Sequence, residues 1–268
     1  METLAGMKHP AFQEALALLK ASVRQSTGLY LAEDLADQAL ELPRADLRAV
    51  FATPEAAAPL NARCLARGVP LYVAGAGLLS KLVGTGYDTA VTSVAVVRQR
   101  QVRPEQLLEL GGLILAAESI QDPRNVGVLI RTADAAGCAG LLLSADSAEP
   151  YARPAVRSTT GSALRLPIAV APDLAATLAG LRARGARVIA SSGASEQLAS
   201  ALDLRARPLV LVVGNEQSGI SEGVAAQSDA IARLPMATST RADSYNVTVA
   251  AGMLVYEAIR GATASPCS

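Results

Sequence analysis

The stretch Pro208-Leu-Val-Leu-Val-Val-Gly214-Asn215-Glu216-Gln217-Ser218-Gly219 decides how this chain must fold. Five apolar residues run unbroken between Pro208 and Gly214, with no polar face to offer water. They read as a strand covered on both faces, the environment of a parallel sheet between helices. The polar loop that follows then lies at the carboxyl edge of the sheet, where open α/β folds place ligand crevices. Gly214 and Gly219 permit close backbone approach or a positive φ. A bare Gly-x-x-x-x-Gly is also an ordinary strand-to-helix turn. No Gly-Lys-Ser/Thr follows, so this is not a P-loop.

Upstream, Glu118-Ser-Ile-Gln-Asp-Pro-Arg-Asn125-Val-Gly127-Val-Leu-Ile-Arg131-Thr-Ala-Asp-Ala-Ala-Gly137 reads as a strand end, a polar loop and a helix capped by Asn125. Val126, Leu129, Ile130, Ala133 and Ala136 share one helical face, and Arg131 points nearly opposite it. Downstream, Leu234-Pro-Met236-Ala-Thr-Ser-Thr-Arg-Ala-Asp-Ser244-Tyr245-Asn246 leads from a short strand into a helix that is apolar nearly all round up to Glu257. Such a helix needs burial in a core or against another subunit. Ser244 or Asn246 would cap it.

Strand signals recur at residues 47–51, 71–73, 94–97, 113–117, 141–143, 187–190, 209–213 and 230–234, with helical stretches between them, as at Asp173–Arg184. The alternation predicts an α/β protein with a mostly parallel sheet in its second half. The polar, Pro-closed run Arg98-Gln-Arg-Gln-Val-Arg-Pro104 is the candidate linker, dividing the chain into domains 1–103 and 104–268. Residues 1–103 hold 11 Lys/Arg against 9 Asp/Glu, a slight basic excess that points to where a polyanion would dock.

Composition excludes several classes. The 268 residues are 51% hydrophobic, enough for a real core, but only 3% aromatic with no Trp, too few for base-stacking platforms. The 24 Lys+Arg balance 24 Asp+Glu, so no global positive charge marks a nucleic-acid binder. Only Lys8, Lys20 and Lys81 are lysines; Arg suits bidentate phosphate contacts, and a GC-rich genome gives the same bias. Cys64, Cys138 and Cys267 lack metal-ligand spacing, and His9 is the only histidine, which argues against a metal site, a disulfide framework and His-based catalysis. Without a leader or a long apolar run, the expected location is the cytoplasm, not a membrane. A dinucleotide fingerprint at Val73-Ala-Gly75-Ala-Gly77-Leu-Leu-Ser80 lacks its third glycine and a convincing acidic partner.

Taken in order, Asn-x-Gly-x-x-x-Arg-Thr-Ala, the strand with Gly-Asn-Glu-x-x-Gly, and Pro-Met…Ser-x-Asn-Val-x-Val-Ala-Ala-Gly resemble the SpoU (TrmH-like) branch of the SPOUT RNA 2′-O-ribose methyltransferases over residues 113–258. The first hundred residues, most clearly Leu79-Ser-Lys-Leu-Val-Gly-Thr-Gly, resemble the family's L30e-like substrate-binding domain. The resemblance implies a C-terminal trefoil knot, a homodimer, and S-adenosylmethionine as cofactor, lined by Gly214, Leu234, Met236, Ser244 and Asn246. It places Arg131, Asn125, Glu216, Ser244 and Asn246 at the catalytic side, and Arg131 and Arg157 against RNA. Departures from the family pattern are mild in the second domain (Gln217, Tyr245, Thr248). Glu33-Asp34 and Ser93 depart in the first, which bears on the RNA target more than on the reaction.

The reaction expected is methyl transfer to a ribose 2′-hydroxyl of structured RNA, ribosomal RNA before transfer RNA, in housekeeping or as antibiotic resistance. A guanidinium holds its proton at neutral pH, so the role expected of Arg131 is to bind phosphate and orient the hydroxyl, not to act as base. A non-catalytic ribosome-binding protein of the same fold is the rival, and the intact Asn125, Arg131, Glu216 and Asn246 argue against it.

Overall fold

The computed structural model describes residues 1–84, 91–237 and 242–260. Its first elements are β1 (Glu2–Thr3), α1 (Pro10–Ala17), α2 (Ala21–Thr27), β2 (Leu29–Glu33), α3 (Ala36–Glu41), β3 (Leu47–Ala52), α4 (Pro54–Ala66), β4 (Leu71–Val73), α5 (Ala76–Leu82) and β5 (Ser93–Arg98). There follow α6 (Pro104–Glu109), β6 (Leu113–Ala117), α7 (Pro123–Ala135), β7 (Gly140–Ser144), α8 (Arg153–Thr159), β8 (Ile168–Ala171) and α9 (Leu174–Ala183). The last are β9 (Arg187–Ser191), β10 (Leu209–Val213), α10 (Glu222–Ala226), β11 (Ala230–Ala232) and α11 (Val247–Arg260). Among the described residues, no helix is long and apolar enough to cross a membrane.

These elements form two compact units: Met1–Arg100 with Pro150–Arg165, and Gln101–Glu149 with the chain from Leu166 onward. A single boundary after residue 103 does not describe this division, because Pro150–Arg165 packs with the first unit. Tyr151 lies against Tyr30 with ring centroids 4.9 Å apart. Arg153 on α8 ion-pairs with Glu33, whose side chain is only 9% exposed. At Gly161 a Cβ would meet the Gln38 side chain at 2.2 Å. The first unit is built on a mixed five-stranded sheet, ordered β1-β4-β3-β5-β2, in which β5 runs antiparallel to both β3 and β2. Phe12, Phe51, Leu79 and Val94 are among the residues filling its core.

The second unit carries the expected parallel sheet. Six strands run in the order β11-β9-β10-β6-β7-β8, every neighbouring pair parallel. β10 sits in the middle, Leu209 in register with Leu113 of β6 and Arg187 of β9. All five of its residues are buried, as are all five of β6, and burying each Val or Leu side chain contributes about 1.5–3 kcal/mol. Ile114, Ala116, Val210 and Val212 join the core with Leu107, Leu178 and Val224 from α6, α9 and α10. α11 packs on α7 and β10. Strand β8, four residues framed by Pro167 and Pro172, extends the sheet by one strand beyond the expected five. With this strand order, the loops leaving β6, β9, β10 and β11 all emerge at the carboxyl edge of adjacent strands.

Candidate active site

The loop after β10 is built around Asn215. Its backbone N–H donates to Gly219 O (2.8 Å) and its carbonyl accepts from Gly219 N (3.0 Å). Its side-chain oxygen accepts from the N–H groups of Gln217 (2.9 Å) and Ser218 (3.0 Å). The loop closes so tightly that a Cβ on Gly214 would lie 2.2 Å from the carbonyl carbon of Gly219, and Gly219 itself turns at φ 70°. Both glycines are therefore demanded by geometry. Ser221 caps α10 by accepting from Val224 N. The Ser221 N–H (2.8 Å) and hydroxyl (2.6 Å) both donate to the carboxylate of Glu118, which follows β6.

Two of the residues singled out in the sequence meet here. Asn125 Nδ2 donates to Glu216 Oε1 at 2.8 Å, linking the first turn of α7 to the β10 loop. Asn125 is not the cap of that helix. Asp122 is, accepting from Arg124 N at 2.8 Å, with Pro123 in the first helical position. Pro at that position is preorganised for a helix start and has no N–H to satisfy. With Asp122 as the cap, the Asn125 side chain bonds Glu216 instead of its own helix. Hydrogen bonding from the Arg124 side chain holds the Asp122 carboxyl below its usual range.

A cavity of about 390 Å³ opens beside this link, at the ends of β9, β10 and β11. Gly214, Leu234, Met236, Ser244 and Glu216 line it. Tyr245 and Val247 add to the wall, and the Tyr245 hydroxyl donates to Pro235 O at 3.0 Å. Asn246 lies between these two but is not part of the lining. Its side-chain oxygen takes the N–H (2.9 Å) and hydroxyl (2.7 Å) of Thr248, so it, and not Ser244, caps α11. Sequence reading missed Ser191, Ser192 and Gly193, which line the cavity from the end of β9. The signal available was a strand running into Ser-Ser-Gly. Residues 238–241 of the third sequence segment lie outside the described residues.

Arg131 is exposed on the side of α7 away from its buried residues Val126, Leu129, Ile130 and Ala133. It lines a separate groove between α7 and α11, with Val128, Thr132, Val255, Tyr256 and Ile259. Arg157 belongs to the first unit, where its guanidinium donates to Glu33 Oε2 at 3.2 Å.

Against known proteins, a model described as the SpoU rRNA Methylase family matches residues 112–256. The chain belongs to the SpoU rRNA methylase family. It is 36% identical over 162 residues to the 23S rRNA (guanosine-2′-O-)-methyltransferase of Pseudomonas aeruginosa, covering 59% of this chain and 64% of that one. It is 37% identical over 162 residues to an uncharacterised tRNA/rRNA methyltransferase of Mycolicibacterium paratuberculosis, covering 59% of this chain and 52% of that one. The chain thus spans about half to two thirds of the length of these curated relatives. In structure, it is similar to the AdoMet-bound rRNA methyltransferase of Sinorhizobium meliloti, with a TM-score of 0.84, 29% identity and 97% of both chains covered. The α/β SPOUT architecture of the family is the one observed in the second unit. Leu234, Met236 and Val247 give the cavity an apolar wall beside the close approach of Gly214 to Gly219, the mixture of apolar lining and polar backbone common to small-molecule sites.

Proposed function

We propose that this chain transfers the methyl group of S-adenosylmethionine to a ribose 2′-hydroxyl of ribosomal RNA. The observation that carries the reading is the juxtaposition of the β9–β11 cavity with the Asn125–Glu216 hydrogen bond, which joins its loop to the helix bearing Arg131. When bound, the cofactor supplies an activated methyl group on a sulfonium. Gly214, Leu234, Met236, Ser244, Tyr245 and residues 191–193, which line the cavity, would hold it. A ribose hydroxyl is a weak nucleophile until it is oriented and its proton accepted, so positioning supplies much of the rate. Arg131 grips an RNA phosphate with its planar fork and aims the hydroxyl. Asn125 and Glu216 fix the helix start against the cavity wall, Ser244 and Asn246 order the approach to α11, and water carries the proton away. Arg157 adds an RNA contact from the first unit by exchanging Glu33 for phosphate.

The active form is a cytoplasmic homodimer whose C-terminal segment is knotted. Val249, Met253 and Tyr256 leave an apolar strip of α11 exposed in the single chain, flanking the groove that Arg131 lines, and a second copy covers it. The test is transfer of labelled methyl from S-adenosylmethionine to deproteinised ribosomal RNA, run with and without chelator. Transfer to transfer RNA alone would move the substrate. Stoichiometric cofactor binding with no transfer to any RNA would leave a ribosome-binding protein.

A further inference from the structure

Ser119 is one of three non-glycine residues among those described with a left-handed backbone, at φ 55°. A serine held there is strained unless its surroundings insist on it. Here each of its polar groups is engaged. Its N–H donates to Ser144 Oγ at 2.7 Å, and its hydroxyl donates to Asp146 Oδ2. Its carbonyl accepts from Asn215 Nδ2 at 2.7 Å. Ser144 and Asp146 lie at the end of β7, and Asn215 organises the loop after β10. The left-handed bend thus turns the carbonyl toward the β10 loop while the hydroxyl ties the same residue to the neighbouring strand. The residue before it, Glu118, holds the far end of that loop through Ser221. The ring then closes: the β10 loop carries Glu216, Glu216 accepts from Asn125, and Asn125 stands six residues after Ser119.

We propose that Ser119, anchored by Asp146, is a positioning residue that sets the spacing between the Glu216 loop and the start of α7, and through that helix the position of Arg131. The proposal rests on the methyl-transfer reading above. Ser119→Ala keeps the need for a left-handed backbone but removes the tie to Asp146, so the bend then rests on its N–H bond to Ser144 Oγ and on its carbonyl, which accepts from Asn215 Nδ2 and Gln121 Nε2 (3.0 Å). Ser119→Gly also removes the anchor but adopts positive φ without cost. Asp146→Asn retains an acceptor oxygen; Asp146→Ala does not.

The experiment compares these variants in steady-state kinetics and, in the cofactor-free chain, in amide hydrogen exchange over residues 120–126 and 214–221. Ser119→Ala and Asp146→Ala should each lower kcat by about 30- to 100-fold, the scale of an ångström's misplacement, with both KM values within about twofold. The double variant should lose no more than Asp146→Ala alone, because removing Asp146, whose carboxylate also bonds the Ser144 side chain, already removes the bond to Ser119. Ser119→Gly should lose less, and Asp146→Asn should stay near wild type. Exchange should quicken in the two alanine variants and not in Asp146→Asn. Wild-type kcat in both alanine variants would overturn the proposal. So would unchanged exchange, or a loss that follows melting temperature and cofactor KM together. If Ser119→Ala fails to fold, Asp146→Ala and Ser119→Gly carry the comparison. A wild-type chain that methylates no RNA would defeat the methyl-transfer reading, and the exchange comparison would still decide the spacing.

Discussion

Gly214→Ala puts the geometry of the candidate site under the sharpest test. The added methyl would lie 2.2 and 2.3 Å from the carbonyl carbon and oxygen of Gly219 and 2.4 Å from the nitrogen of Ile220. All three are backbone atoms, so no side chain can rotate aside. Ordinary contact begins near 3.4 Å, and the loop must therefore open by about an ångström. Glu216 lies on that loop, and its 2.8 Å bond to Asn125 would stretch beyond hydrogen-bonding distance. Overpacking of this kind costs about 1–3 kcal/mol of stability, and an ångström of misplacement costs on the order of 100-fold in rate. Methyl-transfer kinetics, with calorimetry of cofactor binding and a thermal melt, separate these effects. The variant should still melt cooperatively, bind S-adenosylmethionine more weakly and turn over at least about 100-fold more slowly. Wild-type cofactor affinity and turnover in Gly214→Ala would show that the Gly214–Gly219 approach does not shape the site.

Arg131→Ala should lose on the order of 100-fold or more in turnover while its melting point and cofactor affinity hold, since an exposed side chain contributes little to stability. Arg131→Lys should recover little, because an ammonium lacks the planar fork; kinetics and calorimetry on both variants check this. Tyr256→Asp, at a side chain 60% exposed beside Val249 and Met253, should convert a dimer into monomers by light scattering, and a wild-type monomer would remove the proposed interface. Burial pushes the Cys138 thiol up to about 12, partly opposed by Arg207, whereas an unfolded thiol ionises near pH 8.5. The folded chain therefore keeps a proton that the unfolded chain releases. The stability this thiol contributes is complete below about pH 8.5 and is lost as pH rises toward 12. In a Cys267→Ser background, Cys138 should resist alkylation at pH 8 until the protein unfolds, as read by peptide mass mapping.

The second unit was legible because its central strands are unmixed apolar runs: residues 113–117 and 209–213 were bounded from sequence to the residue. Strand β2 was not. Leu29-Tyr-Leu-Ala-Glu33 follows Ser-Thr-Gly28, which reads as a turn, and its buried positions are Tyr30 and Ala32, a weak apolar signal. The Asp173 cap and Gly185 bound α9 in the sequence as in the structure. At α7 the apolar periodicity begins at Val126 and points to Asn125 as cap, whereas the helix starts three residues earlier at Asp122-Pro123, where the cap chemistry is stronger. The attachment of Pro150–Arg165 to the first unit depends on Tyr30–Tyr151 and Glu33–Arg153, pairs more than a hundred residues apart, which no local pattern encodes. At the site, Gly214, Leu234, Met236 and Ser244 were nameable as lining because the family resemblance placed them. Ser119 and Glu118 were not, because their importance lies in a backbone angle and in partners from other strands.

The proposed acceptor of the methyl group is a ribose oxygen. A 2′-O-methyl group removes the internal nucleophile that cleaves RNA in alkali, so the phosphodiester next to it survives alkaline hydrolysis. After transfer of labelled methyl to ribosomal RNA by the full chain, the label should appear in an alkali-resistant dinucleotide. Label recovered in mononucleotides would place the methyl on a base and contradict it.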